Sequence, residues 1–147
     1  MIATAETLRR LQPVSPFSER GVFEGMSFGL STAGYDVRVA EDLVLFPGAF
    51  ALASTIEQFN MPNMLVGIVH DKSTWARRGM AVQNTVIEPG WKGYLTLELT
   101  NHSSEPMFIN AGSPIAQIIF HYTDIEAEPY SGKYQNQEAG PQQARFE

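Results

Sequence analysis

The sequence contains no cysteine, which removes disulfides, thiolate metal sites and a cysteine nucleophile from consideration. Histidine is almost as scarce. His70, His102 and His121 are the only three, and they lie far apart without the spacing of metal ligands. Basic residues are few, 10 Lys and Arg against 16 Asp and Glu, for a formal charge of −6. Broad contact with nucleic acid or an anionic membrane needs a net basic surface, so neither partner is expected. A single small polyanion needs only a local cluster of cations, and Lys72, Arg77, Arg78, Lys133 and Arg145 are the candidates. The apolar runs are short and broken by Gly, Pro or charge, and the N-terminus has no basic-then-apolar signal pattern. A cytoplasmic protein is the expectation.

Helical periodicity is also nearly missing. A short helix over Thr4 to Gln12, capped by Thr4 and ended by Pro13, is predicted, followed by an irregular approach from Pro13 to Gly34. From Tyr35 the texture is short strands between turn residues: Tyr35 to Val39, Leu43 to Phe46, Phe50 to Thr55, Leu65 to His70, Met80 to Thr85, Gly93 to Thr100, Met107 to Asn110 and Ile115 to Tyr122. This spacing predicts an all-β sandwich or barrel built as a single domain over 1–147, with 1–30 as helix and approach. A one-turn helix over Ser73 to Arg78, capped by Ser73 or Thr74 and ended by Gly79, is the one interruption after Lys72.

Asp71 to Asn101 is the stretch that reads as chemistry. Lys-Ser-Thr-x-Ala-Arg-Arg-Gly from Lys72 offers hydroxyls, cations and a helix start within eight residues, a composition suited to phosphate oxygens. Further on, Leu95, Leu97 and Leu99 alternate with Thr96, Glu98 and Thr100. A carboxylate in the middle of so strongly patterned a strand is either a solvated outer-face residue or a working acid/base at the mouth of a site. From about Glu126 the apolar pattern stops. The tail over 126–147 is polar enough for disorder, yet Tyr130, Tyr134 and Phe146 fit docking on a ligand or a neighbouring subunit equally well.

Taken in order, Ala33-Gly34-Tyr35-Asp36, Pro47-Gly48, Met61-Pro62, Asp71 to Arg77, Glu88-Pro89-Gly90-Trp91, Thr96 to Asn101 and Pro129 to Gln137 resemble the dCTP deaminase branch of the dCTP deaminase/dUTPase superfamily. The resemblance runs from about Ser31 to the C-terminus. It implies a distorted β-barrel or jelly roll (dUTPase-like) forming a homotrimer, with nucleotide sites at the subunit interfaces and the tail as a lid. It implies Glu98 as the acid/base, with Ser73 and Arg77 supporting the attacking water and the phosphates. Lys72, Thr74 and Ala76 fall in the same substrate-binding motif. Thr85, Val86, Glu88, Trp91 and Thr96 fall around base and sugar, and Tyr130, Lys133 and Gln137 match the tail residues that cover the nucleotide.

The implied activity is deamination of dCTP to dUTP and ammonia. Nucleobase deaminases of the zinc class use His and Cys ligands, and this composition lacks that set. No zinc is expected. The water is then polarised by the Ser73 hydroxyl, a backbone carbonyl near Thr85 and Val86, and Glu98. Mg²⁺ is expected to travel with the triphosphate rather than on protein side chains. Thr85 to Glu88 departs from the deaminase pattern, being about two residues shorter and preceded by Gln83-Asn84 instead of the common His. That turn is similar to the dUTPase turn, so a dUTP pyrophosphatase or a bifunctional enzyme giving dUMP and diphosphate is the first alternative. A catalytically silent nucleotide-binding regulator is the second.

Overall fold

A computed structural model describes residues 1–146. The elements in chain order are α1 (Ala5–Leu11), β1 (Val14–Ser15), β2 (Gly21–Phe23), β3 (Met26–Ser31), β4 (Gly34–Arg38), β5 (Leu43–Leu45), β6 (Phe50–Asn60), β7 (Leu65–Asp71), α2 (Ser73–Ala76), β8 (Met80–Val82), β9 (Val86–Ile87), β10 (Lys92–Asn101), β11 (Met107–Ile109) and β12 (Pro114–Tyr122). A six-stranded sheet runs β2-β3-β4-β12-β7-β9, a four-stranded sheet runs β1-β6-β10-β8, and β11 and β5 form a ribbon. Every paired strand is antiparallel. The fold is therefore all-β with curled sheets, as the strand spacing predicts.

The period-2 pattern decides what lies between the sheets. Leu97 and Leu99 of β10, Val37 of β4, Val69 of β7 and Ile118 and Phe120 of β12 are all fully buried. A bridge from Val39 to Thr55 joins the two larger sheets. Beside it the β6–β10 ladder breaks: Tyr94 pairs with Gln58 and Thr96 with Ser54, so Thr55, Ile56 and Glu57 together oppose Leu95. The bulge bends the sheet, and the Thr55 hydroxyl replaces the missing ladder partner by accepting the Leu95 N–H at 3.1 Å. Glu57, fully buried in the bulge, accepts the Arg38 backbone N–H at 3.0 Å and its Nε at 2.9 Å.

Several sequence-based expectations are corrected. Residues 13–34 hold β1, β2 and β3 instead of an irregular approach. Phe23 pairs with Met26 across Glu24-Gly25, whose φ angles of 48° and 77° form the tight turn of a hairpin. The strand expected over Met80 to Thr85 ends at Val82, and the one beginning at Phe50 continues to Asn60. Lys72, not Ser73 or Thr74, is the residue preceding α2 at the cap position, and its side chain makes no capping bond. Thr4 does cap α1 by position, again without a side-chain bond.

Candidate active site

A cavity of about 460 Å³ opens beside β10. Thr96 and Glu98 line it from the outer face of that strand, Thr85, Val86 and Glu88 from the β9 segment, and Trp91, Tyr130 and Gln137 from the turn and tail. Strand alternation explains the arrangement, since Leu97, between Thr96 and Glu98, is fully buried in the core, while Leu95 at the bulge joins the cavity lining. Phe50 and Leu52 of β6 also line it and escaped the sequence reading. Their registers, Thr100 to Phe50 and Glu98 to Leu52, put them directly across from the motif strand. Nothing local in the sequence reports that pairing.

Glu98 is the unusual group. Its Oε2 is buried with no hydrogen-bond partner among the described residues, and burial raises its carboxyl above the ordinary value. A carboxylate held this way takes up a proton more readily than a solvated one. Its backbone carbonyl accepts from Gln83 N–H at 3.0 Å, so the chain leaving β8 is tied to this point before it turns toward Thr85. The Thr85 carbonyl accepts from Val69 N–H at 3.1 Å, which commits that oxygen in part to the sheet. Glu88 is exposed at the cavity rim.

The tail is docked on its own chain. The Trp91 indole donates to the Tyr134 carbonyl at 2.7 Å while its ring packs on Phe59. Gln135 accepts from Lys92 N–H at 2.8 Å and donates to Gly90 O at 3.0 Å and Tyr130 O at 2.8 Å. Tyr94 N–H donates to Gln137 O at 3.0 Å, extending a parallel bridge between Gly93 and Gln137. Gly93, at φ 153°, is required here: a Cβ would sit 2.7 Å from the Gln137 nitrogen. Lys133 stays exposed, its ammonium 5.4 Å from the Tyr134 ring centre.

The α2 motif lies elsewhere. Ser73, Thr74, Ala76 and Arg77 are exposed and none lines the cavity of the same chain. Lys72, grouped with them in sequence, is buried, and its ammonium donates to Asp36 at 3.1 Å and Ser27 at 3.3 Å. That pair holds the start of α2 against β4, and it engages the charge that the sequence assigns to phosphate. Asp36 nonetheless sits above the usual carboxylate range, because burial outweighs the nearby ammonium. Trp75 packs beneath α2, donating to Pro114 O at 2.8 Å, with the Arg78 guanidinium 5.0 Å from its ring. Among the described residues no three His, Cys, Asp or Glu side chains are grouped so as to hold a metal ion. No helix there is long and apolar enough to cross a membrane.

A family model described as dCTP deaminase-like matches residues 26–123. The chain belongs to that family. The dCTP deaminase of Campylobacter concisus (strain 13826) is 36% identical, with 85% of this chain and 86% of that protein covered. The dCTP deaminase of Sulfurovum sp. (strain NBC37-1) is 37% identical over 84% of each. The match to the Campylobacter protein spans 159 positions, more than this chain's 147 residues; 85% of 147 is about 125, so about 34 of those positions have no counterpart here. Among solved structures, the 2′-deoxycytidine 5′-triphosphate deaminase of Agrobacterium tumefaciens superposes with a TM-score of 0.69 at 16% identity, covering 83% of this chain and 48% of that one. The EIAV dUTPase superposes at 0.57 with 22% identity, covering 68% and 84%. A mutant dUTPase of S. aureus phage phi11, described with a structural Mg(II) ion, superposes at 0.61 with 19% identity, covering 82% and 95%. These superpositions establish a shared fold with the dCTP deaminase and dUTPase structures.

Proposed function

We propose that the chain catalyses the hydrolytic deamination of dCTP. Water adds to C4 of cytosine and ammonia departs with the former exocyclic nitrogen, so cytosine plus water gives uracil plus ammonia. The observation that carries this reading is Glu98 Oε2, buried and unpartnered in a cavity of nucleoside size. Glu98 takes a proton from the attacking water and returns protons to N3 and the leaving amine. A carboxyl whose proton affinity is raised by burial serves both directions. The curated dCTP deaminases among the relatives support the same substrate.

Ser73 and Arg77 enter the reaction from a neighbouring copy of the chain in a homotrimer. Within one chain they do not line the cavity, while Ser73 on α2 and Arg77 just past its end are both exposed. Val44, Phe46 and Phe108, 42%, 61% and 67% exposed around the β5–β11 ribbon, supply apolar surface for such an assembly. Arg77 can grip phosphate oxygens bidentately and Lys133 can act as a point charge. The donor set suits Mg²⁺ carried by the triphosphate and water, since among the described residues Glu88 is the one exposed carboxylate lining the cavity. Such an ion would neutralise phosphate charge.

Incubation with dCTP and, separately, dUTP in the presence of Mg²⁺, read by nucleotide chromatography and an ammonia assay, tests the reading. dUTP and ammonia are expected from dCTP. Intact dCTP with cleaved dUTP would select pyrophosphatase chemistry instead. The position of Glu88 on the cavity favours a second, bifunctional reading in which it activates water toward the α-phosphate. Loss of dUMP formation in Glu88→Ala with deamination retained would support it.

A further inference from the structure

We propose that Thr96 is a positioning residue: it holds the Gln137 amide with its carbonyl oxygen toward the cavity, so that the site selects cytosine over uracil. The inference rests on reading the cavity as a pyrimidine site. Gln137 Nε2 donates to the Tyr94 carbonyl at 2.8 Å and to Thr96 Oγ1 at 3.1 Å. A backbone carbonyl can only accept, so the amide nitrogen must lie on that side, and the flipped amide would set two carbonyl oxygens against each other. Both N–H groups are thereby used. Gln137 is also anchored through its main chain, because its carbonyl accepts the Tyr94 N–H at 3.0 Å.

What Gln137 retains for a ligand is Oε1, in a cavity it shares with Glu98. Cytosine presents a donor amine at C4 and uracil presents an acceptor oxygen at the same place. A fixed acceptor holds the first and opposes the second, so one oxygen retains substrate and loosens product. Thr96 Oγ1 also accepts the Gln142 backbone N–H at 3.0 Å, which ties the same hydroxyl to the end of the lid. Thr96 is thus placed to set both the orientation of the reader and its cover.

The test is binding of dCTP and dUTP with Mg²⁺ by calorimetry, in a Glu98→Gln background so that dCTP is not consumed. The parent is expected to prefer dCTP by about 10-fold or more, the scale set by an unpaired polar group in a site. Thr96→Val should lower that ratio severalfold, because the amide keeps its bond to the Tyr94 carbonyl but loses the second anchor that holds it still, and Thr96→Ser should restore it. In a Gln137→Ala background Thr96→Val should leave the ratio unchanged, since Thr96 acts through Gln137. Equal weakening of both nucleotides by Thr96→Val would overturn the inference and reduce Thr96 to a tail anchor. So would a parent that prefers dUTP, binds neither nucleotide, or still responds to Thr96→Val without Gln137. The deaminase reading fails separately, if wild-type protein leaves dCTP intact while the binding ratio is as stated.

Discussion

Glu98 sets function against stability at one residue. Burial favours its neutral form, so its folded-state proton affinity exceeds that of the unfolded chain. The sign follows: its contribution to stability is complete below the ordinary value of 4.5 and is lost as pH rises through the raised folded value. Glu98→Gln is therefore expected to melt about 2–4 °C higher than wild type at pH 7, an advantage that fades by pH 4.5. The same variant should lose about 10²-fold to 10⁴-fold in turnover with nucleotide binding largely kept. Differential scanning calorimetry across pH and steady-state kinetics check the two halves. Lys72 shows the opposite case. Lys72→Met leaves Asp36 buried without its cation, and a loss of about 3 kcal/mol is expected in urea unfolding at neutral pH. The deficit should shrink as pH falls and Asp36 takes up a proton. Glu98 stands out in the sequence as the carboxylate on the polar face of an alternating strand, a pattern that fits either a solvated residue or an acid/base, and the family resemblance supplies the role. The fate of Lys72 is not legible there, since its partner lies 36 residues away on another strand.

At the scale of elements, the turn from Glu88 to Gly93 and the strap from Pro129 to Gln137 form one unit. The strap sits on the turn through backbone bonds and two glycines, where a Cβ at Gly90 would meet Pro129 at 2.5 Å and one at Gly93 would meet Gln137. Gly93→Ala is expected to unseat the strap with the barrel intact. The checks are faster proteolysis of residues 126–146 and a KM for dCTP raised by about 10-fold or more, since the strap's bound geometry is then ordered at the ligand's expense. The sequence carries the turn plainly in Pro89-Gly90. It leaves the strap undecided, because polar composition reports the absence of a core face but not a run of main-chain partners supplied by another turn. The β2–β3 hairpin stayed hidden for a similar reason: Glu24-Gly25 replaces the Asn-Gly or Asp-Gly that normally marks such a turn. Long alternating segments such as β10 and β12 were legible because burial on one face dictates their period.

For the whole molecule, the proposed active site is a property of the assembly. Glu98 lines the cavity of one chain while Arg77 is presented outward from it. Mixing Glu98→Gln protein with Arg77→Ala protein, each inactive alone, should restore about a quarter of wild-type activity after subunit exchange, because one site in four draws both intact residues. No recovery in exchanged assemblies would place both residues in one chain's site. Size-exclusion chromatography with light scattering establishes that exchange has occurred.

Because the strap is held by main-chain bonds to a turn of its own chain, such as Tyr130 N–H to Pro89 O at 2.9 Å and Asn136 N–H to Lys92 O at 2.8 Å, the ordering entropy of residues 129–137 is met largely in folding. Residues 141–146, past Gly140 at φ 94°, are tied back by fewer bonds, chiefly Gln142 N–H to Thr96 Oγ1 at 3.0 Å and Arg145 N–H to the Tyr134 hydroxyl at 3.0 Å. Entry and departure of the nucleotide then become a matter of one short flap rather than of the whole tail. A flap of that kind would open by breaking the Gln142–Thr96 and Arg145–Tyr134 bonds while the strap bonds stay in place.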